Sequence, residues 1–115
     1  MVFISSLGSR FYHPAYPLGS VKAAMECAVR DLAESLRERR ISVNGICAGP
    51  VKTDSLKVLR QYYPELERMP DNYFVEPEEI ADVALFLCAP ASRGIVGQTL
   101  VVDRGVSNRL HLPPG

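Results

Sequence analysis

The sequence carries no surplus of charge: Lys and Arg together number 13, as do Asp and Glu, and the two signs are interspersed along the chain. A nucleic-acid surface needs a basic face and a high pI, so that partner class is disfavoured from the outset. Long apolar runs are missing as well. Stretches such as residues 83–88 fall far short of the roughly 20 residues that span a bilayer. Residues 1–7 lack the basic region, apolar stretch and small-residue cleavage site of a secretion signal. Cysteine is sparse and odd in number, with Cys27, Cys47 and Cys88 widely spaced. No Cys-x2-Cys or Cys/His pairing suggests a metal, and each cysteine sits in an apolar pattern. The expectation is three reduced thiols, buried as small hydrophobes, in a cytoplasmic setting.

What is present is enough apolar content, 47% of 115 residues, for the core of one domain. Val2-Phe3-Ile4 reads as a short strand apolar on both faces, as in the interior of a parallel sheet. Residues 10–19 hold two prolines, a glycine and two tyrosines, and read as loop. From Ser20 the period changes: Val21, Met25, Ala28, Leu32 and Leu36 recur at helical spacing, with Lys22, Glu26, Arg30, Glu34 and Arg37 on other faces. This predicts an amphipathic helix from a Ser20 cap to about Arg39. Residues 41–47 form a second predicted strand, ended by Ala48-Gly49-Pro50. A helix over residues 52–63, with Thr53 or Asp54 as cap, leads into a mobile loop at 64–75. Glu76-Pro77-Glu78-Glu79 opens a further helix through Ile80, Val83, Ala84 and Leu87. Residues 98–102 are the third strand.

Strands alternating with helices argue for parallel strands and crossover helices, an α/β architecture. A three-stranded sheet leaves long apolar edges uncovered, so the sequence reads as part of a larger sheet.

Four segments fit one family in order and spacing: Ile4-Ser5-Ser6-Leu7-Gly8; a Tyr…Lys segment opening a helix; Val43-Asn44-Gly45-Ile46-Cys47-Ala48-Gly49-Pro50-Val51-Lys52-Thr53; and Gly97-Gln98-Thr99-Leu100-Val101-Val102-Asp103. Over about residues 2–107 the chain resembles the C-terminal half of a short-chain dehydrogenase/reductase. The resemblance implies a partial Rossmann-like, doubly wound parallel sheet. Residues 1–107 would be the C-terminal part of that domain, with 108–115 a flexible tail carrying His111. The family's opening glycine-rich turn, which sets a pyrophosphate on a helix N-terminus, has no counterpart here.

The resemblance also implies chemistry. In that family a tyrosine hydroxyl serves the substrate oxygen while hydride leaves NADPH or NADH, a lysine ammonium beside it favours loss of the tyrosine proton and holds the nicotinamide ribose, and a serine orients the substrate. The common spacing puts tyrosine four before lysine, where this chain has Leu18. The NADPH-dependent enoyl-acyl-carrier-protein reductases place it ten after the serine position and seven before the lysine. Here Tyr16 stands ten after Ser6 and six before Lys22, one residue short of that branch. The implied catalytic set is Ser6, Tyr16 and Lys22, with Tyr12 as the other candidate donor. Lys22, Gly49, Pro50, Val51 and Thr53 are the implied cofactor contacts, with Thr53 near its phosphates. Leu59, Tyr62, Tyr63, Met69 and Phe74 would form an acyl-binding lid.

The implied activity is reduction of an enoyl thioester carried by acyl carrier protein or coenzyme A, as in fatty-acid synthesis. Full-length members pack as dimers or tetramers, and the helix from Ser20 resembles their packing helix. Two other readings stand beside it: a carbonyl (3-oxoacyl) reductase, and a catalytically silent fragment that only associates. Each candidate also has a plain structural reading. Tyr12 and Tyr16 as loop aromatics, Lys22 as a solvated lysine, Ser5 and Ser6 as strand-end caps and Ala48-Gly49-Pro50 as a turn all fit the same residues. His13 and His111 read as surface residues.

Overall fold

A computed structural model describes residues 1–14 and 16–109. Three parallel strands, β1 (Val2–Ser6), β2 (Asn44–Ala48) and β3 (Thr99–Val102), lie in the order β1-β2-β3. Between them run α1 (Gly19–Ser35), α2 (Asp54–Tyr62), the short α3 (Pro64–Glu67) and α4 (Pro77–Cys88). This is the predicted α/β alternation with parallel pairing. All five β2 residues are buried, on both faces of the strand. Such a strand needs cover on both sides, and α1 and α4 are the long helices that pack against it.

The register sets Ser6 beside Ala48 and Ala48 beside Val102. The three strands therefore end level, and the segments that follow them emerge together. At the opposite end the buried Asn44 ties the entry of β2 to that of β3. Its Nδ2 donates to the Ile95 carbonyl at 2.8 Å, and its Oδ1 accepts from Gln98 N–H at 3.0 Å. One side chain thereby satisfies backbone groups that would otherwise be orphaned.

Val29 and Ala33 of α1 pack with Val43 in the core, and Phe3, Leu32, Leu36 and Val96 close around them. Leu32 and Leu36 belong to the expected apolar recurrence, but the fully buried residues are Val29 and Ala33, each one position after an expected one, and Val21 is 60% exposed, so the covered face is turned from the one the periodicity marks. The boundaries differ from expectation in informative ways. Ser20 is not the cap: α1 starts one residue earlier behind Leu18, with no side-chain cap, and Ser20 is already helical. The helix stops at Ser35, and Arg37–Arg39 is a separate 3-10 turn closed by Arg40 at φ 56°. β2 begins at Asn44 rather than Ile41, and β3 at Thr99.

Residues 64–75 are not a featureless loop. They contain α3 and a 3-10 turn, Asp71–Tyr73, and end at Phe74 and Val75, both fully buried. Apolar side chains beneath a polar, proline-containing stretch anchor it. The thiol expectation holds only for Cys47; Cys27 and Cys88 are exposed, on the outward faces of α1 and α4. No described helix is long and apolar enough to cross a membrane. At the C-terminal end of the described chain, Arg109 stacks over the Tyr73 ring at 4.7 Å. Residues 110–115, His111 among them, lie outside the described residues.

Candidate functional site

Ser6 is the last residue of β1, and its hydroxyl donates to the Tyr16 hydroxyl at 2.8 Å. The chain leaves β1 through a 3-10 turn, Leu7–Ser9, and returns past Pro17 into α1. Gly8 lets it fold back so closely. A Cβ at that position would overlap Cδ1 and Cε1 of the Tyr16 ring, so the ring lies directly on the glycine backbone. The structure thus brings Ser6 and Tyr16 together. Tyr12, the other candidate, is 92% exposed.

Lys22 enters from the first turns of α1 and donates through Nζ to the Ile4 carbonyl at 3.2 Å. An ammonium has three protons, so this bond orients the group without exhausting it. One turn on, Glu26 faces the same segment. Its Oε2 accepts from the hydroxyl of Ser5 at 2.5 Å and from that of Ser9, and its Oε1 accepts from the Arg10 guanidinium at 3.2 and 3.4 Å. Burial works to raise the carboxyl's pKa, but the hydrogen bonds from Ser5, Ser9 and Arg10, with the Arg10 charge, outweigh it and the net shift is downward. Beneath this group lies the buried Cys47, whose thiol burial pushes up.

The segment after β2 is held on two sides. Gly49 passes so near the end of β3 that a Cβ there would meet Asp103 Cβ at 2.8 Å and Cα at 2.9 Å. Burial works to raise the Asp103 pKa too, but bonds from Ser107 and from the Gly105 N–H bring it below its usual range. On the other side Val51 bridges Val75 in parallel: Val75 N–H donates to the Pro50 carbonyl at 2.7 Å, and Lys52 N–H to the Val75 carbonyl at 2.9 Å. In a parallel bridge of this kind the N–H and C=O of Val51 point away from Val75. Among the described residues neither makes a hydrogen bond. Val51 thus offers one donor and one acceptor, a pair that could hold a primary amide among other ligands. The crevice beyond the carboxyl ends of parallel strands is also where such sheets bind ligands.

Thr53 has a structural duty. Its Oγ1 accepts from Leu56 N–H at 3.3 Å as the N-cap of α2. The expected acyl-binding surface is only partly present. Phe74 is removed from it, being fully buried with the Arg60 guanidinium 4.7 Å over its ring, whereas Tyr62 is 73% exposed. His13 lies 3.5 Å from Glu65 of α3, linking the loop before α1 to the segment after α2.

The linear sequence does not single out Glu26 or Arg10; Glu26 reads as one more polar residue of an amphipathic helix. A usable signal was there: Glu26 is four residues after Lys22 and so shares its helical face.

The residues around this site match known proteins over almost the whole chain. The family described as enoyl-(acyl carrier protein) reductase matches residues 1–107. The NADH-dependent enoyl-acyl-carrier-protein reductase of Bacillus subtilis is 38% identical over 110 residues, 91% of this chain and 43% of that protein. The 7alpha-hydroxysteroid dehydrogenase of Escherichia coli K12 is 42% identical over 97 residues, 80% of this chain and 37% of that protein. A crystal structure of an oxidoreductase of the short-chain dehydrogenase/reductase family from Burkholderia thailandensis superposes with a TM-score of 0.79 at 29% identity, covering 94% of this chain and 44% of that one. The chain spans about two-fifths of the length of these curated relatives. With its parallel sheet, level strand ends and matched segments, the chain belongs to the enoyl-(acyl carrier protein) reductase family, within the short-chain dehydrogenases/reductases.

Proposed function

We propose that residues 1–107 form the C-terminal part of a short-chain dehydrogenase/reductase domain that reduces an enoyl thioester with NADH or NADPH. The observation that carries this reading is the Ser6–Tyr16 hydrogen bond at the carboxyl end of β1. Because Ser6 donates to Tyr16 Oη, the proton on Tyr16 is left to point outward. It can then bond the thioester carbonyl oxygen and stabilise the negative charge that develops there. Lys22, oriented by Ile4, keeps protons for the ribose and for the tyrosine oxygen. Val51 offers its N–H and C=O to the carboxamide. The dinucleotide, when bound, supplies the hydride.

An NADH-dependent relative supports keeping both nucleotides in the assignment. The acyl group would arrive on acyl carrier protein or coenzyme A, and pairing of subunits through α1 belongs to the same proposal. The decisive measurement is oxidation of NADH and NADPH in the presence of crotonyl thioesters, for the unaltered chain and for Tyr16→Phe. A rate that falls at least a hundredfold in the variant supports the role of Tyr16; equal rates sink it. Similarity to a hydroxysteroid dehydrogenase favours a second reading, a reductase of carbonyl groups. Turnover of ketones but not of enoyl thioesters would select it. A chain that binds neither nucleotide in a calorimeter would instead fit the silent, associating fragment.

A further inference from the structure

Ser6 is held only indirectly to the helix that carries Lys22. Its own hydroxyl is committed to Tyr16, and its neighbours do the holding. On the strand side, Ser5 is 3% exposed and donates to Glu26 Oε2. On the far side of Ser6, beyond the 3-10 turn, Ser9 donates to the same oxygen and Arg10 to the other. A single carboxylate in α1 therefore grips the chain both before and after Ser6. It uses hydrogen bonds to a charged acceptor, the stronger kind. The Glu26 side chain is only 16% exposed, so water competes poorly for those bonds.

The grip joins other supports of the Tyr16 loop, His13 beside Glu65 and Gly19 packed on the Gly8 carbonyl, and it acts on the segment that Tyr16 itself touches. Tyr16 rests on Gly8, which lies inside the segment clamped between Ser5 and Ser9. If residues 5–10 shift, Gly8 and Ser6 shift together, and both supports of the Tyr16 hydroxyl go with them. Lys22 is on the same helix one turn earlier, so Glu26 also fixes the distance between the lysine and the Ser6–Tyr16 pair.

We propose that Glu26 is the positioning residue of this site, holding Ser6 and Tyr16 in register with Lys22 by clamping residues 5, 9 and 10 to α1. The inference rests on the Ser6–Tyr16 pair being the working site, but its test reads the surroundings of Tyr16 and not turnover, so the two ideas fail separately.

The test is carbon-13 NMR of the full chain labelled at tyrosine Cζ, with Tyr16 assigned by the Tyr16→Phe variant. The chain has five tyrosines, and exposed Tyr12 supplies an internal solvent reference. In Glu26→Ala the Tyr16 resonance should move towards that of Tyr12, while Tyr62, Tyr63 and Tyr73 stay in place. Glu26→Gln, which keeps one acceptor oxygen but not the charge, should move it part of the way. Should Glu26→Ala not fold, Ser9→Ala and Arg10→Ala leave the carboxylate in place and remove one donor each. Both should displace the Tyr16 signal in the same direction by less. A Tyr16 resonance that stays put in folded variants whose melting temperature alone has fallen would overturn the proposal. So would displacement of all the tyrosines together, since that reports general loosening.

Discussion

The hydroxyl of Ser6 and the hydroxyl of Tyr16 lie 2.8 Å apart, across ten residues of chain that pass through a 3-10 turn and a proline-containing loop. The interval between Tyr16 and Lys22, one residue shorter than in the enoyl-reductase branch, does not prevent the contact. The missing position falls between Tyr16 and Lys22, a stretch that is loop up to Leu18 and helix from Gly19.

That contact depends on Gly8. In Gly8→Ala the new Cβ overlaps the Tyr16 ring, and the ring or the turn has to move. Overpacking of this kind costs about 1–3 kcal/mol. Urea denaturation should show a loss of that size, and the tyrosine NMR spectrum a displaced Tyr16 signal. An unchanged midpoint and spectrum would contradict the packing described.

Thr53 is an N-cap before it is anything else. Thr53→Ala removes the acceptor for Leu56 N–H and should cost about 1 kcal/mol. Hydrogen exchange should accelerate in the first turn of α2 and remain unchanged in α4. Thr53→Ser keeps the acceptor and should restore protection.

Acid should weaken the fold through Glu26 and Asp103, both of which titrate below their usual ranges. For a carboxyl whose folded-state value is depressed, the unfolded chain takes up its proton first. The stabilisation is complete above the ordinary carboxyl values near pH 4 and is withdrawn as pH falls through the lower folded-state values. Urea midpoints should therefore decline between about pH 5 and pH 2. Glu26→Gln should lower the midpoint at neutral pH and flatten the decline; an equally steep decline in the variant would remove Glu26 from the account.

The cysteines sort by position. Cys27 and Cys88 should react with a thiol reagent in the native chain, and Cys47 only after denaturant is added. Its burial and raised pKa both slow attack, since the thiolate is the nucleophile. Three fast equivalents would mean that β2 is open to solvent.

The sequence by itself determined the order of elements, their parallel pairing and the family. Those follow from local signals: apolar runs in β1 and β2, the recurrence of Ala28, Leu32 and Leu36 along α1, the proline and acids that open α4, and short motifs in fixed order. The motifs also named Ser6, Tyr16 and Lys22 as candidates, of which the fold joins Ser6 to Tyr16 and bonds Lys22 to the Ile4 carbonyl. What the linear pattern could not carry was which polar residue meets which. Glu26 looks like any solvent-facing glutamate until α1 is laid against β1, where Ser5 and Ser9 reach it from opposite ends of a turn. Phe74 looks like a lid aromatic until the strap formed by Val51 and Val75 draws it inward, and Cys27 and Cys88 look buried until the helices choose their faces. Periodicity reports how often a side chain recurs on one face. Only the packing of helices on the sheet decides which face is covered and which donors and acceptors are brought within hydrogen-bonding reach.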